Sequence, residues 1–425
     1  MEKKVSERMV VFLVGAIQFV NILDFVMVMP MGPDFARALG IANSHVGIIG
    51  GSYTAAAAVS GFIGSFFLDR FDRRKALLVA MLGLVVGTAM GGLATGLPSL
   101  IAARVIAGLF GGPATSVSLS IIADVVPPER RGKALGAVMG AFSVASVLGI
   151  PASLTAAEWF GWRAPFLGVA GLGLFISMAA VFLLPSLTGH LAMVKAQAGH
   201  RWELMGRLFT RRLVLLSYLM TTLVMMGGFI IIPNISAYVQ FNLGYPREHM
   251  GMLYGVAGVV SFFAMRLVGF LVDRFGSFRI GTLGSAMMMV VLYFGFVRYI
   301  PGFPVVGLFI SFMLSNSFRM VPYNTLTSKV PSPSERAQFM SIQSSVQHIA
   351  SAIGAFLSSQ MLVEAADKSL VGLEQVAFFA MATTVVVPLL LWQVERGVKG
   401  QAAQGGAPVP GGVPAAAAVP PVAPR

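Results

Sequence analysis

The 425-residue chain is 56% hydrophobic and only 11% charged, with a mean hydropathy of +0.81. Soluble domains are about a quarter charged, so this composition excludes an ordinary water-soluble fold and defines a polytopic membrane protein. The net charge of +13 and pI near 10.4 would fit a nucleic-acid binder, but the 30 Lys and Arg fall mostly at the termini and in alternate loops between apolar spans.

That asymmetry is the positive-inside bias, which places both termini in the cytoplasm. It directs the basic charge at anionic lipid headgroups instead of nucleic acid. Three cations, Arg104, Arg266 and Arg319, lie inside spans. The chain has no cysteine, which excludes disulfides, thiol catalysis and Cys-based metal sites.

Taken in order, residues 9–31 follow Lys3, Lys4 and Arg8 in the manner of a secretory signal, with Ala36-Arg37-Ala38 as a cleavage site. The apolar run is too long for a signal core and carries Asp24, so it reads as the first membrane helix. Apolar stretches long enough to cross the bilayer follow at 45–68, 75–97, 99–123, 133–157 and 164–184. A second set falls at 213–240, 249–272, 279–300, 303–328, 335–363 and 372–394, and twelve helices put both termini on one side. Residues 65–77, SFFLDRFDRRKAL, return 204 residues later as 269–281, GFLVDRFGSFRIG. In that register Leu39, Gly40, His45, Gly47 and Gly51 fall on Leu243, Gly244, His249, Gly251 and Gly255, so the chain is a doubled unit. The expected domains are two six-helix halves, 1–184 and 213–395, a linker at 185–212 and a disordered cytoplasmic tail at 396–425. In the linker, Trp202, Met205, Leu208 and Phe209 at helical spacing among basic residues predict an amphipathic helix on the inner leaflet.

Two six-helix halves, each with an acidic-basic turn between its second and third helices, resemble the major facilitator superfamily over residues 9–395. The family's loop signature is Gly-x-Leu-x-Asp-Arg-x-Gly-Arg-[Arg/Lys]. The second copy keeps Gly269, Leu271, Asp273, Arg274 and Gly276. The first keeps Asp69, Arg70, Arg73 and Arg74 but has Ser65 and Asp72 where the family has glycine. The resemblance implies that this loop is a cytoplasmic latch formed when the protein is open outward; otherwise the charges only fix topology. Leu100-x3-Arg104-x3-Gly108 resembles a second signature, that of the proton-coupled members, with Ala107 in place of the usual Gln. Arg104 should therefore find an acceptor or line the cavity, or else snorkel to the outer headgroups. Gly136, Gly140, Gly149 and Pro151 resemble the antiporter signature, although Ile150 separates Gly149 from the proline. The implied fold is all-α, two six-helix bundles around a central cavity, with inverted three-helix repeats in each.

Asp24 is the one carboxylate deep within a span, and Gln18, Asn21 and Asp24 share a helical face. A stripe this polar is expected to face the central cavity. There Asp24 either exchanges a proton as its exposure alternates or stays ionised as a structural tie. Helix 10 carries Arg319 near the depth of Ser315, Asn316 and Tyr323, and helix 11 carries Ser341, Ser344, His348 and Ser351 along one face. Arg319 is expected to bind an anionic substrate group or to neutralise Asp24. His348 is a second candidate proton carrier, or an interhelical hydrogen-bonder. The many Met residues read as packing, or as a soft multidrug pocket. Neither a phosphate-binding Gly-Lys-Ser/Thr loop nor a His-Glu-x-x-His motif occurs, so no enzyme and no cofactor are expected. The expected function is proton-coupled efflux of a small molecule by alternating access, by a monomer in a bacterial inner membrane. A proton symporter or facilitator importing a metabolite, and a transporter-like sensor, are the alternatives.

Overall fold

The computed structural model describes residues 6–188, 206, 208–332 and 336–405. Among these, twelve long helices carry the fold. The N-terminal six are α1 (Glu7–Val26), α2 (Val46–Phe67), α3 (Arg73–Gly92), α4 (Leu97–Val125), α5 (Lys133–Phe160) and α6 (Arg163–Leu183). The second six are α7 (Arg212–Phe229), α8 (Met250–Phe275), α9 (Ser277–Leu292), α10 (Val305–Thr327), α11 (Arg336–Met361) and α12 (Leu373–Gly405). Eleven are long and apolar enough to cross a membrane by composition. The exception is α11, where Gln343, Ser345, Ser351, Ser358 and Ser359 lower the hydropathy; these five are buried against protein, while Met340, Ile349, Ile353 and Phe356 are exposed.

Breaks in the helices have local causes. Pro151 has no N–H to donate and its ring crowds the carbonyl four residues back, so α5 widens into a π turn over Ala145–Gly149. The seventh span is not one helix over 213–240: α7 ends at Phe229, and Ile232–Asn234, Ile235–Ala237 and Tyr238–Asn242 continue as short turns of differing pitch. α1 likewise stops at Val26, and a short helix, Gly32–Leu39, follows it. The repeated Leu-Gly pair now has a reason, because Gly40 and Gly244 both sit at positive φ, +66° and +67°, where the chain must turn after a helical segment.

The 204-residue register is realised contact by contact across the two halves. Gly47 of α2 lies against the Ala355 carbonyl and Ser359 of α11, and Gly251 of α8 lies against the Pro151 carbonyl and Thr155 of α5. Each residue of the second set is 204 positions from its counterpart in the first. Phe25 and Phe229, also 204 apart, stack with ring centroids 6.1 Å apart. A Cβ on Gly47 would come within 2.3 Å of the Ala355 oxygen, so glycine is what permits α2 to close on α11.

These contacts seal the face opposite the one where α1 begins. Further ties join the halves there: Arg247 holds Asp34 through Nε and Nη2, both at 2.6 Å, and Nη2 also donates to the Leu154 carbonyl at 3.1 Å. The Asn43 amide donates to Glu364, which sits on a two-stranded hairpin, β1 (Val363–Glu364) and β2 (Leu370–Val371). α5 and α8 touch through Gly251, Gly255 and Gly258, yet their apolar stretches are buried over only 28% and 22%, against 56% for α2. The expected linker helix rests on Trp202 and Met205, which lie outside the described residues, as does 406–425 of the expected tail. α12 continues to Gly405, past the residue 396 boundary expected for that tail.

Candidate functional site

The N-terminal half holds one connected polar network. Asp24 on α1 is 0% exposed and Arg104 on α4 is 1% exposed. Arg104 Nη1 and Nη2 donate to Asp24 Oδ1 and Oδ2 at 2.9 and 3.0 Å, and Nη2 also reaches the Asp24 carbonyl at 3.2 Å. Thr88 on α3 lies 2.7 Å from Oδ1 and 2.8 Å from the Leu84 carbonyl, so its one proton is shared between them. The Arg104 guanidinium stacks 4.6 Å above the Tyr53 ring of α2. Tyr53 OH donates to Asn21 Oδ1 at 3.0 Å, and Asn21 Nδ2 donates to the Gly111 carbonyl at 3.0 Å and to Thr115 Oγ1 at 2.7 Å. Gln18 Nε2 joins at Thr115, 3.4 Å away.

The sequence explains why four helices can meet here. A Cβ on Gly108 would lie 2.3 Å from the Tyr53 carbonyl, and one on Gly111 would lie 2.2 Å from the Tyr53 hydroxyl. Ala107, where the resemblance calls for Gln, is fully buried with its backbone against Gly87 of α3, which leaves no room for a longer side chain. One expectation needs correction. The Gln18–Asn21–Asp24 stripe is closed off from the central cavity, because all three are buried against α2, α3 and α4, where Tyr53, Thr88, Arg104, Gly111 and Thr115 supply hydrogen-bond partners that lipid or an apolar core would lack. Arg104 has the acceptor expected of it and does not take the alternative of snorkelling outward, since the Asp24 carboxylate offers bidentate charge-assisted bonds at its own depth.

The C-terminal half is built differently. Arg319 on α10 is 2% exposed, and Nε and Nη2 of its guanidinium are buried without a hydrogen-bond partner. It does not neutralise Asp24, whose oxygens are occupied by Arg104 and Thr88. One turn on, Tyr323 OH accepts from Gln343 Nε2 at 2.8 Å, and the same nitrogen bonds Thr221 of α7. Ser315 spends its proton on the Ser311 carbonyl at 2.7 Å, and Asn316 is half-buried. Ser344 and His348 of α11 line a cavity of about 30 Å³ between the halves, together with Ala57 of α2 and Gly112 and Thr115 of α4. That volume holds a water and not a metabolite. Gln343 and Thr115 went unread in the sequence because a lone Gln or Thr in a span carries no periodic signal.

At the duplicated loop, Asp72 is the working acid. Its carboxylate accepts from Arg74 N at 2.9 Å, Leu187 N at 3.0 Å and Ser186 Oγ at 2.6 Å, capping α3 and tying in the segment after α6. Partial burial opposes ionisation, but these bonds outweigh it and hold the Asp72 carboxyl below the usual carboxylate range. Arg73 is buried and pairs with Asp124 of α4 at 3.1 Å, while Arg74 donates to the Val181 carbonyl and Arg70 is exposed. The Asp69 side chain lies outside the described residues. In the second copy Asp273 and Arg274 are exposed, with no ion pair to either among the described residues. There Gly276 turns at φ +88°, and Glu395 of α12 supplies the cap, accepting from Phe278 N at 2.6 Å.

Two pseudo-equivalent six-helix halves, meeting through glycine contacts on one face and enclosing buried charge within their spans, define a multi-pass membrane transporter and not an enzyme. The model of the Major Facilitator Superfamily matches residues 14–355, and the chain belongs to that family. It is 30% identical over 244 residues to a chloramphenicol resistance protein of Streptomyces lividans, a match spanning 57% of this chain and 61% of that one. It is 25% identical over 358 residues to a purine ribonucleoside efflux pump, NepI, of Shigella dysenteriae serotype 1, spanning 83% of this chain and 86% of the pump. Among solved structures, a bacterial homologue of the human lysosomal transporter Spinster, inward-facing and occupied, superposes with a TM-score of 0.74 at 16% identity over 92% of this chain and 97% of that one. A D-xylose–proton symporter superposes at 0.70 with 17% identity, over 91% and 96%.

Proposed function

We propose that this transporter moves a small molecule out of the cytoplasm in exchange for protons, by alternating access. The observation that carries the reading is the Asp24–Arg104 pair, 0% and 1% exposed. Two charges removed from water persist only while each compensates the other. A proton arriving on Asp24 cancels one charge and frees the guanidinium, so the pair is a two-state element sitting where α1, α3 and α4 meet. Arg104 then turns to the Tyr53 ring and the Asp24 carbonyl, contacts it already makes.

The sealed face fits loading of the substrate from the cytoplasm. With the basic loops inside, the contacts of Gly47, Gly251 and the Asp34–Arg247 pair close the outer side. The site is then loaded from the cytoplasm. Both termini lie there, in a bacterial inner membrane. The relatives named for efflux and for resistance support export. The test is flux in proteoliposomes with an imposed pH gradient, using chloramphenicol and purine ribonucleosides as first probes. Inward-directed protons should drive substrate uphill in the opposite direction, and a protonophore should stop it. Flux indifferent to the gradient, or running with the protons, would overturn the reading.

A further inference from the structure

We propose that Arg319 is the binding group for an oxyanion, a carboxylate or a phosphate ester, on the transported substrate. The inference rests on the reading of the cleft between the halves as the transport site, and it adds the substrate's charge class.

The 204-residue register fixes where Arg319 stands. In the N-terminal half Gly87 of α3 packs on Ala107 of α4, and in the C-terminal half Gly284 of α9 packs on Phe318 of α10. Moving back seven residues along α3 from Gly87 reaches Ala80, and the antiparallel α4 moves forward seven from Ala107 to Ala114. Gly284 and Phe318 are each 204 residues beyond Ala80 and Ala114. Arg319 is therefore the counterpart of Thr115, the residue that joins the Asn21 network to the cavity lined by Ser344 and His348.

The polar stripe of α1, which gives Thr115 its partners Gln18 and Asn21, was not kept in α7, where Thr222 stands for Gln18 and spends its proton on the Tyr218 carbonyl. Met225 stands 204 residues from Asn21 and Gly228 stands 204 from Asp24, so the C-terminal half offers a thioether and a bare backbone where the N-terminal half offers an amide and a carboxylate. Arg319 is left as a buried cation with no ion pair among the described residues. Its two orphaned nitrogens, Nε and Nη2, are the pair that forms one edge of the guanidinium fork. Arg247 shows what that edge does in this same chain: its Nε and Nη2 close on the two oxygens of Asp34 at 2.6 Å each. A planar two-oxygen group is what the free edge of Arg319 matches, and a neutral or cationic group leaves the charge uncompensated.

The experiment is a thermal-shift series on the full chain in phosphatidylcholine nanodiscs. Probes are carboxylates and phosphate monoesters, each beside its uncharged analogue, from benzoate and benzamide to phenyl phosphate and phenol. Anions should raise the melting temperature and their analogues should not. Arg319→Gln should weaken apparent anion affinity by about thirty-fold or more, and Arg319→Lys should restore part of it, because Lys keeps the charge without the fork. Equal shifts from anions and analogues, no shift from either, or anion shifts that survive Arg319→Gln would overturn the proposal. So would an Arg319-dependent shift produced by phosphatidylglycerol alone, which would give the residue to lipid. Should Arg319→Gln fail to fold, the wild-type contrast between each anion and its analogue decides. Proton-driven flux on the same wild-type preparation reports separately: flux of a neutral probe that follows the pH gradient would sink the anion site and leave proton exchange standing.

Discussion

The two halves descend from one repeated unit, yet they treat buried charge in opposite ways. In the N-terminal half both terminal nitrogens of Arg104 are paired with Asp24 and its guanidinium stacks on the Tyr53 ring, with Nε alone of its nitrogens left without a partner. In the C-terminal half Arg319 is as deeply buried, and one edge of its guanidinium is unpaired. The two arginines occupy different slots of the repeat, since Leu308 stands 204 residues from Arg104 and Thr115 stands 204 from Arg319, and Met225 and Gly228 stand where the N-terminal half has Asn21 and Asp24. Duplication fixed the geometry, and substitution then separated the chemistry. One half keeps a carboxylate–guanidinium pair suited to taking up a proton, and the other keeps a cation whose partner is left to the ligand.

The comparison breaks most severely at Arg104. Arg104→Ala leaves Asp24 buried without its counter-charge and should cost about 3–5 kcal/mol, read as a fall in melting temperature in detergent. Adding Asp24→Asn should recover much of that loss, and no recovery would mean the pair is not what stabilises α1 against α4. A smaller effect sharpens the C-terminal side. Met225→Glu puts a carboxylate where Asn21 stands in the other half, so it should couple to Arg319 by about 1–3 kcal/mol in a double-mutant cycle with Arg319→Gln. A coupling near zero would mean that Arg319 does not share the Thr115 slot.

The ties between the halves come next. Asp34 and Arg247 are both partly solvated, so Asp34→Asn should shift the balance toward the outward-open state by about 1–2 kcal/mol without unfolding the protein. Distance measurements between labels on the hairpin and on the Gly32–Leu39 helix should show a new, longer population. An unchanged distribution would assign the seal to the glycine contacts of Gly47 and Gly251 alone.

Much of this was legible in the sequence. The apolar spans gave the helices, and the 204-residue register gave the interface glycines and the pseudo-symmetry. Asp24, Arg104 and Arg319 stood out because charge inside a span is expensive. Their pairing was not legible, since a helical face at 3.6 residues per turn says which residues share a side and not which neighbour that side meets. The Asp34–Arg247 pair was hidden for the same reason, with 213 residues between partners and no motif at either end. Asp72 was read as a departure from a glycine consensus, whereas it is the N-cap that an Asp before a helix should be.

The smallest expected effect is at that cap. Asp72→Ala should cost about 1 kcal/mol at neutral pH. The folded-state carboxyl of Asp72 is held below its ordinary value, so its contribution is complete above the unfolded pKa, near 4, and fades as pH falls through the folded value. The melting-temperature gap between wild type and Asp72→Ala should therefore narrow only in acid, below about pH 4. A gap that widened there would mean that the protonated acid is the capping form.

The central claim, that Asp24 carries the proton, is tested most directly by Asp24→Asn and Asp24→Glu in proteoliposomes under an imposed pH gradient. The amide fits the same space, accepts from Arg104 through one oxygen and cannot release a proton. Asp24→Asn should reach the membrane and at most equilibrate the substrate across it, whereas Asp24→Glu should keep part of the gradient-driven flux with a displaced pH optimum. Uphill transport by Asp24→Asn at the wild-type proton stoichiometry would contradict the account and turn attention to His348.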